Sequence, residues 1–205
     1  MLARAAAVRL YVTLTSPYVR VVRMALAELG MTDQVQILPV RTRVPDCEVH
    51  AFNPTGKVPT LITDDGHVLS ESRLICQYLD ALHTEDPIVD HDPAEQDRQF
   101  EGVITGFLDG IAVWVREQHR PEHERSPAIL AQERARVERC LAWLEARAQI
   151  NEERVDYPRL CLFAALDVLD GRLPSAGWQQ RAPALARWYT GFAQRPSALA
   201  TRASA

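Results

Sequence analysis

The chain has 205 residues, 47% of them hydrophobic, 24% charged and 7% aromatic, with a formal net charge of -4, enough to bury one or two compact cores. No apolar run reaches the roughly 20 residues of a bilayer span, and the first nine residues, MLARAAAVR, lack the apolar stretch of a secretory signal. The acidic balance, with basic and acidic residues interleaved, disfavours nucleic acid as a partner, so a cytoplasmic globular protein with neither membrane nor nucleic-acid partners is expected.

Val8, Leu10, Val12 and Leu14 alternate with Arg9, Tyr11 and Thr13, the period of a half-buried strand. Ser16 followed by Pro17 is a helix-start signal, and Val19, Val22, Leu26 and Leu29 recur at helical spacing until Gly30 offers a stop. Residues 35–40 read as a second strand and complete a βαβ unit; Asn53-Pro54-Thr55-Gly56 then reads as a turn. Residues 59–63 and 67–69 flank Asp64-Asp65-Gly66, the pattern of an antiparallel hairpin. A helix opens at Ser70-Glu71-Ser72, with Leu74, Ile75, Tyr78, Leu79 and Leu82 as its expected buried stripe. Residues 6–83 therefore predict a small mixed sheet with helices packed on it, and 84–93, with Pro87, Pro93 and several acidic residues, predict a linker.

Beyond the linker every periodic segment is helical. Phe100, Val103, Ile104, Phe107, Leu108, Ile111, Trp114 and Val115 make one amphipathic helix, and Val137, Cys140, Leu141 and Leu144 another. Residues 160–169 are apolar on nearly all sides, as in a central helix, and Leu185, Trp188, Tyr189 and Phe192 stripe a helix that ends before Pro196. Residues 94–205 predict an all-helical domain.

Cys47, Cys76, Cys140 and Cys161 are far apart with no CxxC, which argues against a disulfide framework, a zinc ribbon or a dithiol redox motif. His119 and His123 flank Glu122, but Pro121 interrupts the helix between them, so a charged loop is expected there and no metal. Of the 23 basic residues, 22 are Arg; Lys57 is the one Lys, and it stands in a loop where a compact ammonium has a distinct use.

Three segments can carry chemistry. Ser16 stands at a helix N-terminus, where unpaired N–H groups and the helix dipole favour an anion, although it serves equally as a plain cap. Val58-Pro59 enters a strand: a cis bond there would leave the Val58 backbone to pair with an extended peptide, whereas a trans bond is an ordinary edge-strand start. Glu71-Ser72 sets a carboxylate and a hydroxyl at another helix start, suited to an amino-acid end group or to capping.

These segments, TSPYVRVVRMALAELG at 15–30, FNPTGKVPTLITDDG at 52–66 and ESRLICQYLD at 71–80, together with PALARWYTGFAQRPSALAT at 183–201, resemble the cytosolic glutathione transferase family, bacterial serine-containing type. The resemblance implies an α/β thioredoxin-like N-terminal domain, an all-α C-terminal domain and a homodimer. LDGIAVWVREQHRP at 108–121 is similar to a bacterial subgroup of the family.

The resemblance implies that Ser16 hydrogen-bonds the glutathione sulfur, Lys57 lies near the glycine carboxylate, Val58 before a cis Pro59 pairs with the cysteinyl backbone, and Glu71 and Ser72 anchor the γ-glutamyl end. A small hydrophobic electrophile is then expected between domains, with Leu14, Phe107, Leu108, Ile111 and Val115 as candidate lining and no role assigned to Trp114 or Arg116. Two departures stand out. The family's central helix begins with a Ser or Thr cap and an Asp three residues later; here Asp156 and Arg159 hold those places, predicting a lost capping box of about 1 kcal/mol or a substitute contact. No cysteine precedes the first helix, so thiol-transfer chemistry is not expected. The rival readings are a non-catalytic glutathione-binding or interaction module of the same fold, and a glutathione-dependent peroxidase, isomerase or dehalogenase.

Overall fold

The computed structural model describes residues 8–82, 86–147 and 154–202; the expected domain start at 6, the boundary at 83–84 and the chain end at 203–205 lie outside them. The chain divides into two compact units, one holding the residues up to Asp90 together with those from Pro196, the other His91 to Arg195.

In the first unit the alternation after residue 8 becomes β1 (Val8–Val12), and the Ser-Pro signal starts α1 (Pro17–Glu28). The chain then forms β2 (Val35–Pro39), β3 (Thr60–Ile62), β4 (Val68–Ser70) and α2 (Ser72–Ala81). The sheet order is β2-β1-β3-β4. β1 and β2 are parallel, with Leu10 opposite Ile37. β3 runs antiparallel to both β1 and β4, with Leu61 opposite Leu10 and Leu69. This mixed sheet is the thioredoxin-like arrangement expected from sequence.

α1 buries Val19, Val22, Met24 and Leu26, and the sheet buries Leu10, Val12 and Leu61, each such side chain stabilising the unit by about 1.5–3 kcal/mol relative to exposure. α1 ends as its glycine predicts. Gly30 takes φ 65°, Met31 N–H bonds the Leu26 carbonyl at 2.8 Å and Gly30 N–H that of Ala27 at 3.2 Å, which satisfies carbonyls the helix end leaves open.

α2 differs from its expected stripe. Ile75 and Leu79 are fully buried, but Leu74 and Leu82 are 52% and 51% exposed. A helix lying on one face of a sheet buries only part of its circumference, and Leu74 and Leu82, eight residues apart, share a row that misses the sheet. The segment after α2 is fastened by Asp80, whose carboxylate oxygens accept the N–H groups of Ile88 and Val89 at 2.9 and 2.8 Å.

The helical unit contains α3 (Glu95–Gln118), α4 (Pro127–Glu145), α5 (Tyr157–Arg172), the one-turn α6 (Trp178–Arg181) and α7 (Pro183–Phe192). α3 packs on α4 and α5. α5 is central: residues 160–166 are all buried, as their uninterrupted apolar run requires. Asp156 caps it by accepting the Arg159 N–H at 3.0 Å. The Arg159 side chain supplies the substitute contact, pairing with the same carboxylate. Phe163 stacks on Tyr189 at 5.2 Å and meets Phe192 at 5.0 Å, tying α7 to α5. Pro196 starts α8 (Pro196–Ala200), which packs on α1 and groups with the first unit.

Among the described residues no helix is long and apolar enough to cross a membrane. His119 ends α3 and Glu122–Glu124 forms a separate short turn; no cluster of three or more His, Cys, Asp or Glu side chains placed to hold a metal ion occurs among the described residues.

Candidate functional site

Strand register brings the three candidate segments to one end of the sheet. Tyr11 lies opposite Thr60, and Thr60 opposite Ser70. Because β3 is antiparallel to both neighbours, the exit of β1, the entry to β3 and the exit of β4 face the same way. Ser16 follows the first, Pro59 precedes the second and Glu71 follows the third.

Ser16 is the N-cap of α1, with φ -79° and ψ 125°. Its Oγ accepts a long hydrogen bond, 3.4 Å, from Val19 N–H. Its backbone N–H bonds the Thr13 carbonyl at 2.9 Å, closing the turn that leaves β1. The hydroxyl therefore sits over the positive end of a twelve-residue helix, half-buried, with its proton free to point outward. Leu14, in the same turn, is 44% exposed.

The Val58-Pro59 bond is cis, and Pro59 is buried. Among the described residues no hydrogen bond engages the N–H or C=O of Val58, so a strand-like backbone pair is open for an extended ligand. A buried polar lattice holds this loop. Asn53, 3% exposed, and Thr60, fully buried, meet through a 2.7 Å bond from Asn53 Nδ2 to Thr60 Oγ1. Thr60 Oγ1 in turn donates to the Lys57 carbonyl at 2.7 Å, and Asn53 Oδ1 accepts from the N–H of Thr55 at 3.0 Å. Gly56 completes the turn with φ 60°, a conformation that favours glycine.

Glu71 also takes a left-handed conformation, φ 72°, which costs a non-glycine residue about 1–3 kcal/mol. Its side chain makes no cap to α2. Instead its Oε1 lies 3.8 Å from Lys57 Nζ. Ser72, the first residue of α2, is buried at 3%. The site thus joins two helix N-termini, a free backbone pair and adjacent opposite charges, an arrangement complementary to a small zwitterionic peptide with a sulfur or other anion at Ser16.

Phe107, Leu108, Ile111 and Val115 are 0%, 1%, 0% and 8% exposed. As packed, they fill the core of the helical unit and offer little surface to a small molecule; a long amphipathic helix spends its apolar stripe on its own helical neighbours first. The sequence pattern places Asn53 in a turn but assigns no role to its side chain, nor to Thr60 or Asp80. The signal for Asn53 was present in Asn-Pro-Thr, since an asparagine side chain bonding the backbone two residues on is a turn former.

Residues 10–87 match the family described as glutathione S-transferase, N-terminal domain. The GST-like protein YibF of Escherichia coli strain K12 is 30% identical over 189 residues, 89% of this chain and 92% of that protein. The chain belongs to the glutathione S-transferase family. A family member from Pseudomonas fluorescens Pf-5, solved with bound glutathione, shares 33% identity and a TM-score of 0.89 across 97% of this chain and all (100%) of that one. A glutathione S-transferase from Methylobacillus flagellatus, solved with glutathione bound, is 30% identical with a TM-score of 0.86 over 96% of this chain and 100% of that one.

Proposed function

We propose that the chain is a glutathione transferase of the serine type, activating the glutathione thiol for attack on a small apolar electrophile. The observation that carries this reading is the convergence of Ser16, Val58 and Glu71-Ser72 on one sheet end, in a family whose neighbours in structure hold glutathione. The cysteinyl backbone pairs with the N–H and C=O of Val58. Glu71 receives the γ-glutamyl ammonium; the N-terminus of α2 at Ser72 receives its carboxylate. Lys57, beside Glu71, supplies the positive charge for a ligand carboxylate; the glycine end is the assignment this reading retains.

With the tripeptide so held, its sulfur meets Ser16. The thiol proton leaves to solvent, and the Ser16 hydroxyl donates a hydrogen bond to the thiolate while Oγ continues to accept from Val19 N–H. The α1 dipole adds to this stabilisation, lowering the thiol pKa and raising the nucleophile's concentration at neutral pH. The sulfur then forms a bond to the electrophilic carbon, and the leaving group departs with its electron pair. Leu14 borders the sulfur position and is the apolar side chain this reading assigns to the electrophile. The chain acts as a cytoplasmic homodimer in this reading, with the exposed row of Leu74 and Leu82 as surface for a second copy.

The test is calorimetric titration of glutathione into wild type and Ser16→Ala, with ultraviolet thiolate absorbance followed against pH. Binding by both, with a bound-thiol pKa lowered in wild type and returned toward the free value in Ser16→Ala, is expected. Absence of binding at millimolar glutathione overturns the reading and leaves an interaction module of the same fold.

A further inference from the structure

The last helix of the chain touches the helix that carries Ser16, and it does so through buried charge. Arg20 is 7% exposed, an unusual burial for a guanidinium in the middle of an apolar helix face. Its Nη2 donates to the Ala198 carbonyl at 3.2 Å. One turn further along α1, Arg23 reaches the carbonyls of Thr201 and Ala200, each at 3.5 Å. At the other end of the contact Ser197 Oγ donates to Glu28. Ser197, Ala198 and Thr201 are buried at 2%, 2% and 3%. Thr201 Oγ1 closes α8 on itself by donating to the Ser197 carbonyl at 2.8 Å.

The chemistry of this contact is specific. The carbonyls at the C-terminal end of a helix carry partial negative charge and lack partners within the helix. Arg20 and Arg23 supply them. Arg20 and Arg23 stand close together on α1, and burial, with the neighbouring Arg20 charge adding to it, holds the Arg23 pKa below its ordinary value. Arg20 is also the residue whose backbone N–H closes the first turn of α1, bonding the Ser16 carbonyl at 3.0 Å. A displacement of Arg20 is therefore a displacement of the turn on which the Ser16 hydroxyl is mounted, and sites that act by aimed dipoles lose function over fractions of an ångström.

We propose that Arg20 is a positioning residue for the Ser16 site: by gripping the Ala198 carbonyl of α8 it fixes the first turn of α1, so that α8 sets the aim of the hydroxyl and helix end that hold the glutathione sulfur. This rests on the glutathione reading above. Arg20 touches no substrate in this scheme; it acts through α1.

The experiment compares wild type, Arg20→Met and Arg20→Lys in the full chain, using glutathione as the probe. Circular dichroism and thermal melting first establish which variants are folded. On folded samples the bound-thiol pKa and the glutathione dissociation constant are then measured. Expected for Arg20→Met is a bound-thiol pKa raised by about one unit, the size of a lost helix-end interaction, with dissociation roughly tenfold easier. Arg20→Lys, which keeps one cationic donor, returns part of the shift. A merely structural arginine lowers the melting temperature and leaves the bound-thiol pKa unmoved; that outcome overturns the proposal. Failure of wild type to bind glutathione overturns instead the reading beneath it, and this proposal with it.

Discussion

Lys57 and Glu71 stand 3.8 Å apart across the candidate site, with side chains 71% and 64% exposed. An ion pair so open to water is worth at most about 1 kcal/mol, so neither charge is committed to the other, and a ligand bringing its own carboxylate and ammonium replaces the pair at little cost. Lys57→Ala is expected to leave the melting temperature within error of wild type while weakening glutathione binding several-fold, as read by calorimetry. Lys57→Arg is expected to restore only part of the affinity, because a planar guanidinium does not reproduce a compact ammonium. Full affinity in Lys57→Ala removes Lys57 from the site.

Glu71 holds its conformation against its own preference. Replacing it with glycine, which adopts φ 72° without a steric penalty, is expected to raise stability by about 1 kcal/mol in urea denaturation and to weaken glutathione binding at the same time. A stability gain with unchanged binding would show that the strained residue holds no ligand charge.

Asn53 is the brace of the loop before Pro59. Asn53→Ala removes the donor to Thr60 and the acceptor for Thr55, and the expected cost is about 1–3 kcal/mol of unfolding free energy. Because Thr60 also holds the Lys57 carbonyl, the Val58 backbone is expected to lose its alignment, and glutathione affinity falls with stability. Asn53→Asp, which keeps the acceptor and loses the donor, separates the two contributions in the same assays.

Cys161 offers a pH prediction with a definite sign. Burial in α5 pushes its thiol from an ordinary value near 9.0 up to about 12. Between those values the folded chain binds the proton more tightly than the unfolded chain, so this thiol's contribution to stability is present below about pH 9 and is lost as pH rises, at about 1.4 kcal/mol per unit. In Cys161→Ala that contribution is absent. The stability difference between wild type and Cys161→Ala is therefore expected to shift by about 1 kcal/mol between about pH 9 and about pH 10, where the unfolded thiol goes from half to almost fully ionised, to the disadvantage of wild type. A difference independent of pH contradicts the assignment. The same burial makes Cys161 unreactive toward thiol reagents until the chain unfolds.

Local signals were legible in the sequence to the extent that local physics decides them. Ser16-Pro17 announced the start of α1 and Gly30 its end, because caps and left-handed stops depend on a few adjacent residues. The α5 start was legible down to its exception, since Asp156 can cap and Arg159 cannot return a bond to the backbone. What adjacency does not decide was harder. Leu74 and Leu82 lie at the right spacing for a buried stripe, yet which row of a helix meets the sheet is a tertiary matter. Phe107 and Ile111 satisfy equally a core and a cleft until their neighbours are known. The grip of Arg20 on Ala198 joins residues at opposite ends of the chain and leaves no periodic trace. Of the candidate site, Ser16, Val58-Pro59 and Glu71 are singled out by motif, but their shared sheet end follows from the register of β1, β3 and β4.

The unit that holds Ser16 is not contiguous in the chain: it contains the residues up to Asp90 and those from Pro196, with the helical unit between. Synthesis from the ribosome runs N-terminus first, so the sheet, α1 and α2 emerge long before α8 exists. During that interval the surface of α1 that will receive α8 is open and Arg20 lacks the Ala198 carbonyl. A nascent chain that has already formed its sheet thus still waits on α8, made after the whole helical unit, before the first unit is complete.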